Sequence, residues 1–199
     1  ISNCGYDGAK AVLSKFYGTL NARNNAPAAA HYIEFDQTAF TTNPGFAASG
    51  WVYVPADCAA GASCRLHVAL HGCQQNVATS GDKFLKNTGY TRWADTNRIV
   101  VLFPQTRVDS TSRATAASGS LANPNGCWDW IGWYGSNFAQ RAGTQVAAIK
   151  DAAPVVEPAP REPDAAVTTP SERSCEQRCR DLSTQCDTRL ASCVKDCES

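Results

Sequence analysis

The stretch Leu66-His67-Val68-Ala69-Leu70-His71-Gly72-Cys73-Gln74-Gln75 decides the fold class. Its first half is an apolar run that stops abruptly at His71-Gly72, the pattern of a buried strand feeding a tight turn. A glycine in such a turn brings backbone N–H groups close to a ligand, and amides so placed can stabilise charge developing on an oxygen. His71, Gly72 and Cys73 are therefore candidate catalytic residues. The serine that such a turn would serve is not evident. No Gly-x-Ser-x-Gly occurs in the chain, and the nearest approach, Gly61-Ala62-Ser63-Cys64-Arg65, lacks the second glycine and precedes the strand, so it cannot form a strand-to-helix nucleophile elbow. The combination reads as part of an enzyme.

Outward from this turn, a second continuous apolar run, Ile99 to Phe103, follows a polar, helix-compatible stretch from Ser80 to Arg98. That β-α-β spacing predicts neighbouring parallel strands covered on both faces. Upstream, Tyr32 to Phe35 and Gly50 to Val54 read as strands pairing in an antiparallel edge, the second halted by Pro55. Asp7 caps a short helix with an apolar face at Ala9, Val12, Leu13 and Phe16 and a stop at Gly18. Asn137 to Lys150 predicts a helix presenting Phe138, Ala142, Val146 and Ile149. The pattern is one side of an α/β sheet, and the strand expected next is replaced by proline-rich sequence.

Residues 153–173 hold half of the ten prolines, interleaved with Ala, Thr, Glu and Asp, and predict a linker that cannot bury enough surface to fold. The expected organisation is thus 1–152 as the α/β part, 153–173 as linker and 174–199 as a cysteine-rich helical tail. Eighteen basic and eighteen acidic residues balance to zero, with no basic cluster interleaved with aromatics, which argues against nucleic acid as a partner. No apolar stretch approaches the ~20 residues needed to span a bilayer. Ten cysteines without a Cys-x-x-Cys pair argue for disulfides rather than zinc, and so for a secreted, extracellular or periplasmic protein. The chain has no methionine, and Ile1 to Cys4 carry no signal features, so the expectation is that it starts inside something larger or follows a processing event.

Taken in order, Leu66 to Gln75, Thr88-Gly89-Tyr90, Trp93-Ala94-Asp95, Val100 to Gln105 and Asn125-Gly126-Cys127-Trp128-Asp129-Trp130 resemble the extracellular polyhydroxybutyrate (PHB) depolymerase and esterase family of the α/β-hydrolases. The resemblance runs from about Cys4 to Asp151. The opening Asn3-Cys4-Gly5-Tyr6-Asp7-Gly8-Ala9 is similar to the connector of the circularly permuted members, in which the Ser, Asp and His of the triad lie upstream. The resemblance implies a partial α/β-hydrolase sheet with flanking helices, a polyester or hydroxyalkanoate ester as substrate, and neither cofactor nor metal. It further implies that the Cys73 N–H is an oxyanion donor and that the triad belongs to a missing N-terminal half, leaving this chain inactive by itself. A rival expectation is a secreted, non-catalytic binding protein built on the half-fold.

In that frame His71 shapes the turn, His67 is a satisfied core residue, and His31 has no assigned role. Trp128, tied beside the turn by a Cys73–Cys127 disulfide, would form an apolar wall for an aliphatic polyester, with Trp130 beside it. Cys58 and Cys64 suit a local loop staple. In the tail, Cys175, Cys179, Leu182, Cys186, Leu190, Cys193 and Cys197 step by three or four along one helical stripe. One reading is a single amphipathic helix that pairs with another chain. The other is a hairpin closed by Cys175–Cys197 and Cys179–Cys193, which gives a coreless unit ~2–4 kcal/mol per disulfide and leaves Cys186 over.

Overall fold

The computed structural model describes residues 5–117 and 119–153, all within the first of the two units, 1–160 and 161–199, into which the chain divides. Cys4, all but the first residue of the expected linker, and the tail with Cys175, Cys179, Cys186, Cys193 and Cys197 lie outside the described residues.

Four strands form a mixed sheet: β1 (Tyr32–Asp36), β2 (Ser49–Tyr53), β3 (Arg65–Val68) and β4 (Ile99–Phe103), in the order β1-β2-β4-β3. β1 and β2 are antiparallel, β2 and β4 antiparallel, and β3 and β4 parallel with Leu66 opposite Val100. The antiparallel edge and the parallel pair are both as the sequence reads. Insertion of β4 between β2 and β3 explains its unbroken apolar character, since all five of its residues are fully buried. Each such side chain contributes about 1.5–3 kcal/mol. β3 is shorter than its apolar run: the ladder ends with the Ala69 N–H donating to Leu102 O at 2.9 Å, and Leu70 is half exposed. Among the described residues β3 has one strand neighbour, so it is not covered as β4 is.

Helix α1 (Gly8–Tyr17) starts where Asp7 accepts from the Lys10 N–H and ends at Gly18. Its buried stripe is Ala9 and Leu13 with Tyr17 packed alongside, whereas Phe16, expected on that face, is 69% exposed. Ala9, Leu13 and Tyr17 recur at four-residue intervals, and the Tyr17 hydroxyl donates to Leu66 O, which turns the helix by one position. After the short α2 (Ala56–Ala59), the stretch read as one helix between the parallel strands is three: α3 (Val77–Ser80), α4 (Lys83–Asn87) and α5 (Tyr90–Ala94). Gly81 and Gly89, both at positive φ, break the run. A further hairpin, β5 (Asp109–Ala114) with β6 (Ser120–Asn123), carries too few apolar residues to show alternation.

The last helix, α6 (Thr144–Ala152), begins seven residues later than its sequence suggests. Successive tight turns, Phe138 N–H to Gly135 O, Gln140 N–H to Asn137 O and Gly143 N–H to Gln140 O, occupy that backbone instead. The late start rotates the face inward at Gln145, Ala148 and Ala152, and leaves Val146 exposed.

Candidate active site

Where the chain leaves β3, residues 72–75 form a tight turn closed by the Gln75 N–H on Gly72 O at 3.1 Å. Gln74 sits at its third position with φ 61°, the left-handed conformation a type II turn requires. The Gly72 N–H is taken by Gln75 Oε1 at 3.0 Å. The Cys73 N–H has no partner among the described residues, and Cys73 is exposed. Of the four N–H groups of residues 72–75, that of Cys73 is the one without a partner among the described residues.

Three links fasten the turn to the loop 123–128. Cys73 is disulfide-bonded to Cys127. Gln74 donates through its N–H to Asn125 O at 2.8 Å and through Nε2 to Asn125 Oδ1 at 2.7 Å. Trp128 Nε1 donates to His71 O at 3.0 Å, with its ring 5.5 Å from the His71 ring and 5.5 Å from Phe46. The second disulfide, Cys58–Cys64, closes the loop before β3 and is buried against Val52 and Val100.

His71 is 2% exposed and its two ring nitrogens have fixed, opposite duties. Nδ1 lies 2.7 Å from Gly72 O, a carbonyl that can only accept, so Nδ1 carries the proton. Nε2 accepts from the Thr106 N–H at 3.2 Å. Burial pushes the His71 pKa down, partly offset by the Gly72 carbonyl. A base must have a lone pair free toward a reacting proton, and this lone pair is spent inside the fold. Thr106 is itself fully buried and donates its hydroxyl to Gly126 O.

The other histidines are placed differently. His67 is buried between Tyr17 and Tyr90, with its pKa lowered by burial. His31 Nδ1 lies 3.4 Å from the Tyr53 hydroxyl and 3.6 Å from Asp95 Oδ1. Burial, reinforced by the Asp95 carboxylate it donates to, raises the Tyr53 phenol far above its usual range. Among the described residues no histidine has a serine hydroxyl against it, and no cluster of three metal-ligating side chains occurs.

Of the aromatic residues singled out, the structure brings Trp128 to the turn, where it is half-buried support. Trp130 is 65% exposed and meets Trp133 edge-on at 6.2 Å, without a ring contact to His71. Trp133 is buried. Sequence reasoning did not single out Thr106, whose amide fixes the His71 tautomer, or Asp129, whose carboxylate collects the N–H groups of residues 131–134. For Asp129 a signal existed, an aspartate three residues before Gly132 in a run without periodicity. Two cavities, of about 390 and 450 Å³, open between the 38–44 segment and α6, and neither is lined by the turn.

No family model matches the chain. It is 51% identical over 150 residues to a polyhydroxybutyrate depolymerase of Talaromyces funiculosus, covering 75% of this chain and 44% of the relative. It is also 51% identical over 153 residues to a poly(3-hydroxybutyrate) depolymerase of Delftia acidovorans, covering 75% of this chain and 28% of that one. Two solved structures are similar. One is a serine-to-alanine variant of a PHB depolymerase complexed with an R3HB trimer, at TM-score 0.70 and 51% identity over 75% of this chain and 47% of the other. The second is the PHB depolymerase of Penicillium funiculosum, at TM-score 0.72 and 48% identity over 79% and 49%. The chain spans less than half the length of these relatives. Over the three quarters of its length that they match, the chain belongs to the PHB depolymerase family.

Proposed function

We propose that this chain supplies the oxyanion-binding part of a secreted carboxylic-ester hydrolase that acts on polyhydroxybutyrate or related hydroxyalkanoate esters by a serine mechanism. The observation that carries the reading is the Cys73 N–H, without a partner among the described residues, on an exposed turn held by a disulfide, an amide pair and an indole. Attack of a serine on the ester carbonyl creates a tetrahedral oxyanion, and a preorganised amide at that oxygen contributes about 10²–10³ in rate. His71 takes no part in proton transfer, because both of its nitrogens are committed. The attacking serine, its histidine base and its aspartate come from the remainder of the hydrolase domain, outside this chain.

The sheet supports that division. The order β1-β2-β4-β3 leaves β3 with a single neighbour among the described residues, and the turn lies at the carboxyl end of β3. A strand docking on that edge would end beside Cys73, where α/β sheets carry their ligands. We read the whole as half of an α/β-hydrolase sheet, with the missing half as its partner. Two disulfides suit an oxidising, extracellular setting. Residues 153–173 and 174–199 are proposed as a linker and an appended cysteine-rich unit.

The test is a chimera in which residues 4–153 replace the matching segment of the Talaromyces funiculosus enzyme. The reading predicts hydrolysis of the R3HB trimer by the chimera and none, even of short acyl esters, by this chain alone. A folded chimera without ester hydrolysis, or turnover by the chain alone, contradicts it.

A further inference from the structure

We infer that Asp129 is the positioning residue of the aromatic loop that follows Trp128: its carboxylate gathers the amides of residues 131–134 and so sets where Trp130 and Trp133 stand, and with them how a polyester chain is held. The loop 129–134 has no helix or strand of its own, so its backbone donors need another acceptor. They converge on one side chain. Asp129 Oδ1 accepts from the N–H groups of Ile131 at 3.3 Å, Gly132 at 2.6 Å and Trp133 at 3.0 Å, and Oδ2 accepts from Tyr134 at 2.9 Å. The Asp129 N–H donates to Gln145 Oε1 at 2.8 Å, which anchors the loop to α6. Successive amides wrapped around an anion form a nest, and charge-assisted bonds of this kind are about twice as strong as neutral ones.

The tryptophans on either side have different fates. Trp128 is tied to His71 O and sits between the His71 ring, tilted against it, and the Phe46 ring, edge-on to it. Trp130 is 65% exposed, and its one ring neighbour among the described residues is Trp133, whose N–H is in the nest. A large aromatic side chain mostly in solvent has little packing of its own to keep it there. Its position is set from underneath, by the carboxylate, and the surface it presents suits a ligand with long aliphatic segments and no charge. The inference rests on the ester-hydrolase reading for its substrate. The geometry of the loop does not.

The experiment separates the two. In the full chain labelled with 5-fluorotryptophan, Trp51, Trp93, Trp128, Trp130 and Trp133 give five ¹⁹F signals, assigned by single Trp-to-Phe variants. Asp129→Ala removes the acceptor. Asp129→Asn keeps Oδ1 but sets an amide N–H₂ against the Tyr134 N–H, a smaller change suited to the case in which the alanine variant does not fold. The expected result is a shift or broadening of the Trp128, Trp130 and Trp133 signals, graded Asn below Ala, with Trp51 and Trp93 unmoved. In the chimera, both variants should raise KM for the R3HB trimer, by about tenfold for alanine, more than they lower kcat. Signals at wild-type positions in the asparagine variant overturn the positioning role, whatever the chimera does. Shifted signals with an unchanged KM overturn its consequence for substrate.

Discussion

Acidification should destabilise the chain through two histidines, at a rate that follows from their burial. His71 and His67 are 2% and 8% exposed, and burial lowers the pKa of both. In the unfolded chain each titrates near 6.5. Below that pH the unfolded chain takes up protons that the fold resists, because a proton on His71 Nε2 would face the Thr106 N–H, donor against donor. The stabilisation is thus fully present above pH ~6.5 and is lost as pH falls toward the folded values. The slope has a ceiling of roughly 1.4 kcal/mol per pH unit for each histidine and about 2.7 for the pair. Asp7 and Asp109 have lowered pKa values, so their stabilisation is present above about pH 4 and is lost in a separate window, as pH falls below it. Urea unfolding followed by tryptophan fluorescence at half-unit pH steps measures the slope, and His71→Asn should halve it. A flat profile, or a ¹⁵N titration placing the folded His71 pKa at or above 6.5, refutes the argument.

Two further predictions concern the turn's fastening. Gly126 has φ 54°, and a Cβ there would meet Asn76 Nδ2 at 2.6 Å and the Arg107 carbonyl carbon at 3.1 Å, so Gly126→Ala should cost about 2 kcal/mol or more in urea unfolding. The Cys73–Cys127 disulfide spans 54 residues and Cys58–Cys64 spans 6, which gives chain-entropy contributions of about 4 and about 2 kcal/mol. With Cys73 exposed and Cys58 fully buried, graded dithiothreitol with mass mapping should open the larger loop first.

What the sequence makes legible follows from where one-dimensional signals survive packing. β4 is apolar throughout because it is central, and the strand-to-turn break at His71-Gly72 survives because a turn is local. The adjacency of β3 and β4 follows from their crossover. Helix faces are less secure: Phe16 and Tyr17 are both apolar enough to face inward, and a single bond from Tyr17 to Leu66 O decides between them. Asn137 to Gly143 keeps a helical period, yet its tight turns win because their amides already have partners. At the site, the His-Gly turn and its tryptophans are recognisable as residues. Thr106 and Asp129 act through backbone amides brought together only by the fold, which no spacing in the sequence records.

The central claim is that the Cys73 amide binds the oxyanion. It is tested most directly by labelling cysteine with ¹⁵N in the chimera and reacting the attacking serine with a phosphonate ester, whose anionic oxygen occupies the oxyanion position. The account predicts a large downfield shift and exchange protection of the Cys73 amide signal on inhibition, with the Cys58 and Cys64 signals unmoved. A Cys73 amide that keeps its free-enzyme shift while the serine is fully modified contradicts the account.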